Sequence, residues 1–542
     1  MNFSKLTLAI ATLLGASASS GAFAIDLYVD TKTKQLYAEP GPGRQKMGSF
    51  VQVDEAAPKP AAKAGDTDEI AAVREDLALK TNEIKALQEH MTETEAVKVK
   101  LGDKGLEIES SDKNFKMAMG GRLQLDGQFN ENDHNIPQNA RLNNGAGVRR
   151  GRYHMEGTLY KDYDFKFEYD FVRGNGSTAA GITDAWAEYT GFKPFSVTVG
   201  QFKEPFSLES VTSNRFLTFV ERSLPNNAFI EFANPYLLGI SGQSFGERWT
   251  ARAALQAEPI GGGGYNNNSS LNNQGNANRN GPSGNPTYGV TGRATFLPIF
   301  NSKTELLHIG ASGSYRTVNN TNNGANAATA AATGGANTTS PTGLAFASQV
   351  SDVDRSNWAN TGILTDTLGT PNRRVLKDYY RVGAELAGIH GPLSFQSEYI
   401  RTQLNGTTYD SSDHLDGYYV YATYFLTGES RTYDAKKGAF GRQKPNRNFD
   451  LKNGGWGAWE VASRFDALDM NTAHVNGGRL QSGTLALNWY LNPHVRVMLD
   501  YSHIFSNKTI NTGFVGGTRG SLASNTSGQN PDIFMVRTQL DW

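Results

Sequence analysis

The stretch Asp164–Phe171, DFKFEYDF, sets Phe165, Phe167, Tyr169 and Phe171 in strict alternation with Lys166, Glu168 and Asp170. A helix would spread those rings around its circumference, whereas a strand sends them to one face and the charges to the other. The same period of two runs through Met117–Phe129, Thr484–Leu491, Val495–Tyr501 and Phe534–Trp542. In the last of these, Phe534, Val536, Thr538, Leu540 and Trp542 share one face while Arg537, Gln539 and Asp541 share the other. Low mean hydropathy beside 11% aromatic residues fits strands with one apolar side and one wet side. After the N-terminus no apolar run reaches the length of a membrane-spanning helix. The pattern predicts an all-β fold, a transmembrane antiparallel β-barrel.

Sixteen strands can be counted, at about 115–129, 147–160, 163–172, 182–190, 193–202, 236–244, 247–257, 287–297, 304–316, 377–388, 392–403, 416–427, 455–468, 478–491, 494–506 and 530–542. An even number keeps both ends of the chain on one side. Connections after odd strands are mostly long (130–146, 203–235, 258–286, 317–376, 507–529), and those after even strands are mostly tight. Long outer loops with short periplasmic turns are the asymmetry of an outer-membrane barrel. This assigns 101–542 to the barrel and puts the Asn/Gly/Ala/Thr-rich tracts 261–284 and 319–342 on its outer side.

Ahead of the barrel, 1–24 reads as a signal peptide: Lys5, an apolar run from Leu6 to Leu14, then Ala22-Phe23-Ala24 as a cleavage site. Residues 25–66 hold a small hairpin and an Ala/Pro/Lys linker. In 67–100, Ile70, Val73, Leu77, Ile84, Leu87 and Met91 occupy a and d positions of a heptad interrupted by Lys80 and Thr94. That spacing predicts a short helical coiled coil and self-association; a single amphipathic helix is the alternative. The absence of Cys excludes thiol chemistry, disulfides and Cys-ligated zinc.

Gly200–Pro225 follows a clean strand yet carries Phe206, Leu208, Phe216, Leu217, Phe219 and Val220 among Lys203, Arg215, Arg222 and three glutamates. A loop so apolar must bury half of itself. We read it as folded back into the lumen over 203–235; packing on a soluble core is the competing reading.

Parity aims Arg122, Gln124 and Asp126 at the lumen from the first strand, and Arg150, Arg152 and Glu156 from the second, with Arg149 at a strand end where parity is loose. Guanidinium groups stay charged and present planar donor forks suited to phosphate or carboxylate. Several in series make an anion track; a salt-bridged wall using Glu156, Glu168, Asp170, Asp184 and Glu188 is the alternative. The connection 427–455 is long where a tight periplasmic turn is expected, and it holds Arg431, Lys436, Lys437, Arg442, Lys444 and Arg447. It reads either as a basic funnel at a pore exit or as a solvated charged loop. The nine histidines are scattered and no catalytic, phosphate-loop or dinucleotide motif occurs, so no enzyme activity, cofactor, metal or nucleic-acid partner is expected.

At GGRLQ (120–124), VRRGRYHMEGTLYKDYDFKFEYDF (148–171), GQFKEPFSLE (200–209), FLTGESRTYD (425–434) and WGAWEVASRFDALDMN (456–471) the chain resembles the phosphate-selective porins O and P. The resemblance implies a homotrimer of sixteen-stranded barrels in a Gram-negative outer membrane, surrounded by lipid and lipopolysaccharide. It further implies a third loop folded inside and an arginine ladder leading small anions such as phosphate to a basic constriction. Arg122, Arg149, Arg150 and Arg222 resemble ladder arginines. Ser210 stands where strict phosphate channels have a constriction lysine, and Lys203 or Arg215 could supply that charge. The implied function is a passive anion-preferring porin, for phosphate or polyphosphate; a general or other-solute porin, or a structural outer-membrane protein with a cell-wall-directed coiled coil, are the alternatives.

Overall fold

The computed structural model describes residues 24–30, 36–37, 42, 44–51, 67–94, 97–131, 141–172, 181–232, 235–257, 259, 288–318, 344–351, 353, 357–362, 364–366, 372, 374–508 and 530–542. Residues 1–23 of the expected signal peptide, the linker and both low-complexity tracts lie outside them; Ala24, the peptide's expected last residue, is described.

Two units divide at Thr92. In the first, Ala24–Asp30 (β1) pairs antiparallel with Leu36–Tyr37 (β2) and Arg44–Val51 (β3), a three-stranded sheet where the sequence suggested a hairpin. A helix spans Thr67–Thr94. It stops short of the expected position 100 because Val97–Leu101 alternates apolar residues with Lys98 and Lys100, which is a strand pattern. Val73, Leu77, Ile84 and Leu87 of the heptad seam are all exposed on this helix.

The second unit begins with a hairpin that the sequence reading missed, Lys98–Gly102 (β4) and Gly105–Glu109 (β5). Sixteen antiparallel strands then close into a barrel. They are Phe115–Glu131 (β6), Gly145–Leu159 (β7), Tyr163–Asp170 (β8), Gly181–Tyr189 (β9), Phe195–Lys203 (β10), Tyr236–Phe245 (β11), Trp249–Gln256 (β12), Gly289–Ser302 (β13), Glu305–Thr317 (β14), Val375–His390 (β17), Leu393–Thr407 (β18), His414–Phe425 (β19), Ala458–Asn471 (β22), Asn476–Asn492 (β23), Val495–Lys508 (β24) and Asp532–Asp541 (β25). Each lies within a few residues of its expected place. Closure is made by β25 against β6, Asp532↔Glu131 through Asp541↔Arg122. Below that seam β5 takes over as the neighbour of β6, pairing Leu106–Glu109 with Lys116–Met119.

Parity holds around the wall. On β25, Phe534, Val536, Leu540 and the adjoining Trp542 are exposed to the outside, while Arg537, Gln539 and Asp541 are buried. Arginine facing lipid would cost about 2–4 kcal/mol at mid-membrane, so the alternation fixes which face is the lumen.

The lumen is not empty. The connection between β10 and β11 folds inward with Phe206, Val220, Leu224, Phe229 and Ile230 buried. It meets a second inward segment that the sequence placed outside. Ala347–Gln349 (β15) and Asn357–Asn360 (β16) form a hairpin whose Phe346 and Trp358 join the same apolar core. A third segment rises from the periplasmic side: Tyr433–Asp434 (β20) pairs with Ala439–Phe440 (β21), and Tyr433 and Phe440 pack on Leu208.

Irregular backbone inside a barrel needs partners for its N–H and C=O groups. The wall supplies them. Glu398 accepts from the backbone N–H of Leu208 (3.0 Å) and Glu209 (2.7 Å), Asp466 from Leu224 (3.2 Å), and Asp500 from Val220 (2.8 Å). Arg496 donates to the Leu217 carbonyl (2.7 Å), Arg464 to Glu221 (2.8 Å), Arg381 to Phe229 (2.8 Å), and Arg537 to Val220. Asp500→Ala strands the Val220 N–H, at a cost of about 1–3 kcal/mol. The folded form on a heat-modifiability gel should therefore unfold at a lower temperature than wild type, while Leu499→Ala on the lipid face should have the smaller effect.

Candidate functional site

Two clefts flank the inward loop, and cations line both. The outer one is bordered by Arg149, Arg150, Arg152 and Arg222 with Asp170, Glu221 and Glu231. Four guanidiniums against three carboxylates leave a positive surplus.

Backbone geometry explains how adjacent arginines serve one cleft. In the β6–β7 ladder Gln124 pairs with Arg150 but Leu125 pairs with Val148, so Arg149 is the extra residue of a β-bulge. A bulge sends two neighbouring side chains to the same side. Arg149 then contacts Glu221 through Nε at 3.2 Å, and Arg150 approaches the same carboxylate at 3.8 Å. Arg150 also donates to the side-chain oxygen of Gln124 (2.9 Å).

Arg152 is tied down more tightly. It bonds Asp170 at 2.7 Å and Glu168 at 2.8 Å, and donates to the Tyr236 hydroxyl at 3.2 Å. The Lys203 ammonium lies 5.7 Å from the centre of the Tyr236 ring and bonds Glu231 at 2.8 Å. Arg222 shares Glu231 at 2.9 Å and donates to the carbonyls of Glu209 and Thr212, the latter at 3.0 Å. It lines the cleft and ties the loop to itself. Arg122 does not border this cleft: buried, it pairs with Glu168 and Asn214 in the seam between wall and loop.

The second cleft lies toward the periplasmic side and is bordered by Arg215, Arg431, Arg442, Arg496 and His494, with Glu460. Arg215 sits 3.9 Å from Asp541, and its guanidinium lies over Phe216. The six basic residues of the long periplasmic connection divide. Arg431 is buried, 3.4 Å over the Phe440 ring. Arg442 forks onto Asp541 at 2.9 and 2.8 Å. Lys436, Lys437, Lys444 and Arg447 are exposed. At the hairpin tip, the Lys444 ammonium bonded to Asp103 holds that carboxyl below the usual range.

The upward fold of this connection rests on a buried latch. His308 joins the Tyr433 hydroxyl (2.6 Å) to Glu385 (3.1 Å), and Arg293 joins Glu385 to the Gly438 carbonyl (2.7 Å). Its Phe440 N–H reaches Thr212 of the inward loop at 3.3 Å. Segments from opposite sides of the membrane therefore touch at mid-lumen. Sequence reasoning gave no role to Tyr236, Glu221, Glu231 and Arg496; strand parity could have flagged Arg496 and Tyr236, whereas the loop glutamates have no periodic signal.

A closed sixteen-stranded wall, apolar outside and polar inside, with an inward loop and basic clefts in its lumen, defines an outer-membrane porin. Residues 117–515 match the phosphate-selective porin O and P family, and the chain belongs to it. Porin O of Pseudomonas aeruginosa is 27% identical over 442 residues, covering 75% of this chain and 87% of that protein. An uncharacterized protein of Caulobacter vibrioides is 28% identical over 395 residues, 72% of this chain and 69% of its own. Among solved structures, the anion-selective porin from Comamonas acidovorans aligns with a TM-score of 0.43 at 10% identity, covering 79% of this chain and all of that one. The outer membrane channel DcaP of Acinetobacter baumannii aligns with a TM-score of 0.41 at 10% identity, covering 80% and 99%. The family places the protein in the Gram-negative outer membrane and points to a channel rather than an enzyme.

Ser210, where the resemblance expects a lysine, is fully buried, its N–H bonded to the Ser207 hydroxyl. Ser210→Lys would force a long charged side chain into a packed site, where overpacking alone costs about 1–3 kcal/mol. The expected outcome is a reduced yield of heat-modifiable barrel in outer-membrane fractions, with no tightening of phosphate block in the fraction that folds.

Proposed function

We propose that the protein is a passive, anion-preferring diffusion channel through which phosphate or polyphosphate crosses the outer membrane. The observation that carries this reading is the outer cleft, where Arg149, Arg150, Arg152 and Arg222 converge from wall and loop. Planar guanidinium forks match the oxygens of a phosphate, and Lys203 adds a point charge beside them. An anion leaving this cleft would pass to the second one, under Arg215, Arg431 and Arg442. Lys436, Lys437, Lys444 and Arg447 around the periplasmic mouth would draw it on into the periplasm as a funnel. Arg122 contributes by holding the loop rather than by touching the ion.

Reversal potentials in planar bilayers under a KCl gradient test the reading: wild type should favour chloride over potassium, and phosphate should block the chloride current. Arg149 meets the loop at the Glu221 side chain, so Arg149→Ala should still give a heat-modifiable barrel and lower anion selectivity about twofold to fivefold, as loss of one partly desolvated charge predicts. A wild-type channel without anion preference would overturn the proposal.

The same reading makes the protein a homotrimer, with the exposed seam of Val73, Leu77, Ile84 and Leu87 covered by two further copies. Replacing Leu77 and Ile84 by Asp should lower the temperature at which the oligomer dissociates on a gel and leave the folded monomer band unchanged. Unaltered dissociation would remove the helix from the assembly.

A further inference from the structure

We propose that Glu221 is a resident counter-anion of the outer cleft, a carboxylate that occupies an oxyanion's place between guanidiniums and is displaced by each passing ion. The inference rests on the anion-channel reading above and assigns the residue that sets how tightly an ion is held there.

Three guanidiniums converge on this one side chain. Arg149 reaches Oε1 at 3.2 Å and Oε2 at 3.4 Å, Arg537 reaches Oε1 at 3.4 Å, and Arg150 stands 3.8 Å away. Two of the three come from the bulged segment of β7 and the third from β25, so the carboxylate bridges a gap between strands that a free phosphate would span equally well. Charge-assisted bonds meant to last are shorter, about 2.7–2.9 Å. The other cleft acids show such bonds: Asp170 binds Arg152 at 2.7 Å, and Glu231 binds Lys203 at 2.8 Å and Arg222 at 2.9 Å. Glu221 is held loosely by comparison, and its side chain is 15% exposed to the cleft.

The backbone at this position has separate anchors. Arg464 donates to the Glu221 carbonyl, Asp500 accepts from Val220 N–H, and Glu209 accepts from Ser223 N–H. The side chain is therefore free to swing aside without releasing the loop. Its chemistry supplies what a channel needs besides attraction. Binding must be strong enough to draw an ion in and weak enough to let it leave. A tethered carboxylate competes for the same donors, lowering affinity and returning to its place once the ion has gone.

The test uses the full-length protein in planar bilayers. Glu221→Gln keeps the shape and removes the charge. The phosphate concentration that halves the chloride current should fall about threefold to tenfold, and the reversal potential should move further toward chloride. Glu221→Asp, which restores the charge, should bring both values back toward wild type. If Glu221→Gln migrates as a normal heat-modifiable barrel yet its half-blocking phosphate concentration stays within twofold of wild type or rises, the inference is wrong. Failure of the parent reading looks different. A wild-type channel without anion preference whose Glu221→Gln variant still shifts toward chloride would sink the anion-channel proposal and sustain the role of Glu221.

Discussion

Everything inside this barrel depends on one requirement: irregular backbone placed within the membrane must find hydrogen-bond partners that water cannot reliably supply. Among its described residues the loop after β10 has two short helical turns, Leu208–Val211 and Leu224–Asn226, and a five-residue π-turn as regular structure. Some of its remaining polar groups are met by the loop's own Glu209 and Arg222, and many by long side chains reaching in from the wall. Carboxylates on β18, β22 and β24 accept its N–H groups, and arginines on β17, β22, β24 and β25 donate to its carbonyls. A charged wall residue is therefore a structural strut wherever the loop touches it and a candidate ion ligand only where the loop leaves a gap.

That division explains which parts of the molecule were legible in the sequence. The strands were, because each has two chemically opposed faces and a slip of one residue would turn Arg537 to lipid and Phe534 to the lumen. The inward loop was, because Phe206, Phe219 and Val220 need burial and no soluble core competes for them. The role of each arginine was not. Arg122 and Arg150 have the same parity on neighbouring strands, yet one is locked against Glu168 and Asn214 while the other borders a cleft. The difference is made by the path of the loop, which has no period. Arg149 escaped parity for a local reason, the extra residue in its strand, and Val97–Lys100 was absorbed into the preceding helix because three heptads led straight into it.

The two other inward segments were hidden by opposite signals. Trp358 and Phe346 sit in a short hairpin downstream of a low-complexity tract, and the neighbourhood masked them. The periplasmic connection was noticed for its length and charge but read as solvated or funnel-like throughout. Its first half instead holds Tyr433, Ala439 and Phe440, three apolar residues that bury against the wall and carry Arg431 with them. The sharp reversal at its tip uses Gly438 at φ 58°, a conformation in which a side chain would press on Thr250 and Thr295.

The formal charge of −1 over the whole chain says nothing of the lumen, because the sign that an ion meets is set by what remains after internal pairing. Most lumen arginines are neutralised at short range: Arg152 by two acids, Arg293 by Glu385, Arg381 by Glu204, Arg537 by Asp126. Such pairs contribute little field a few ångströms away. Surplus charge survives where carboxylates are outnumbered, at the clefts above and below the loop, and there low-dielectric walls and a narrow water column make each unit charge count for more than it would in bulk. Selectivity in this architecture is then a property of pairing geometry: a barrel with the same composition and one fewer bulge in β7 would aim Arg149 at lipid, and its outer cleft would lose one of its four guanidiniums.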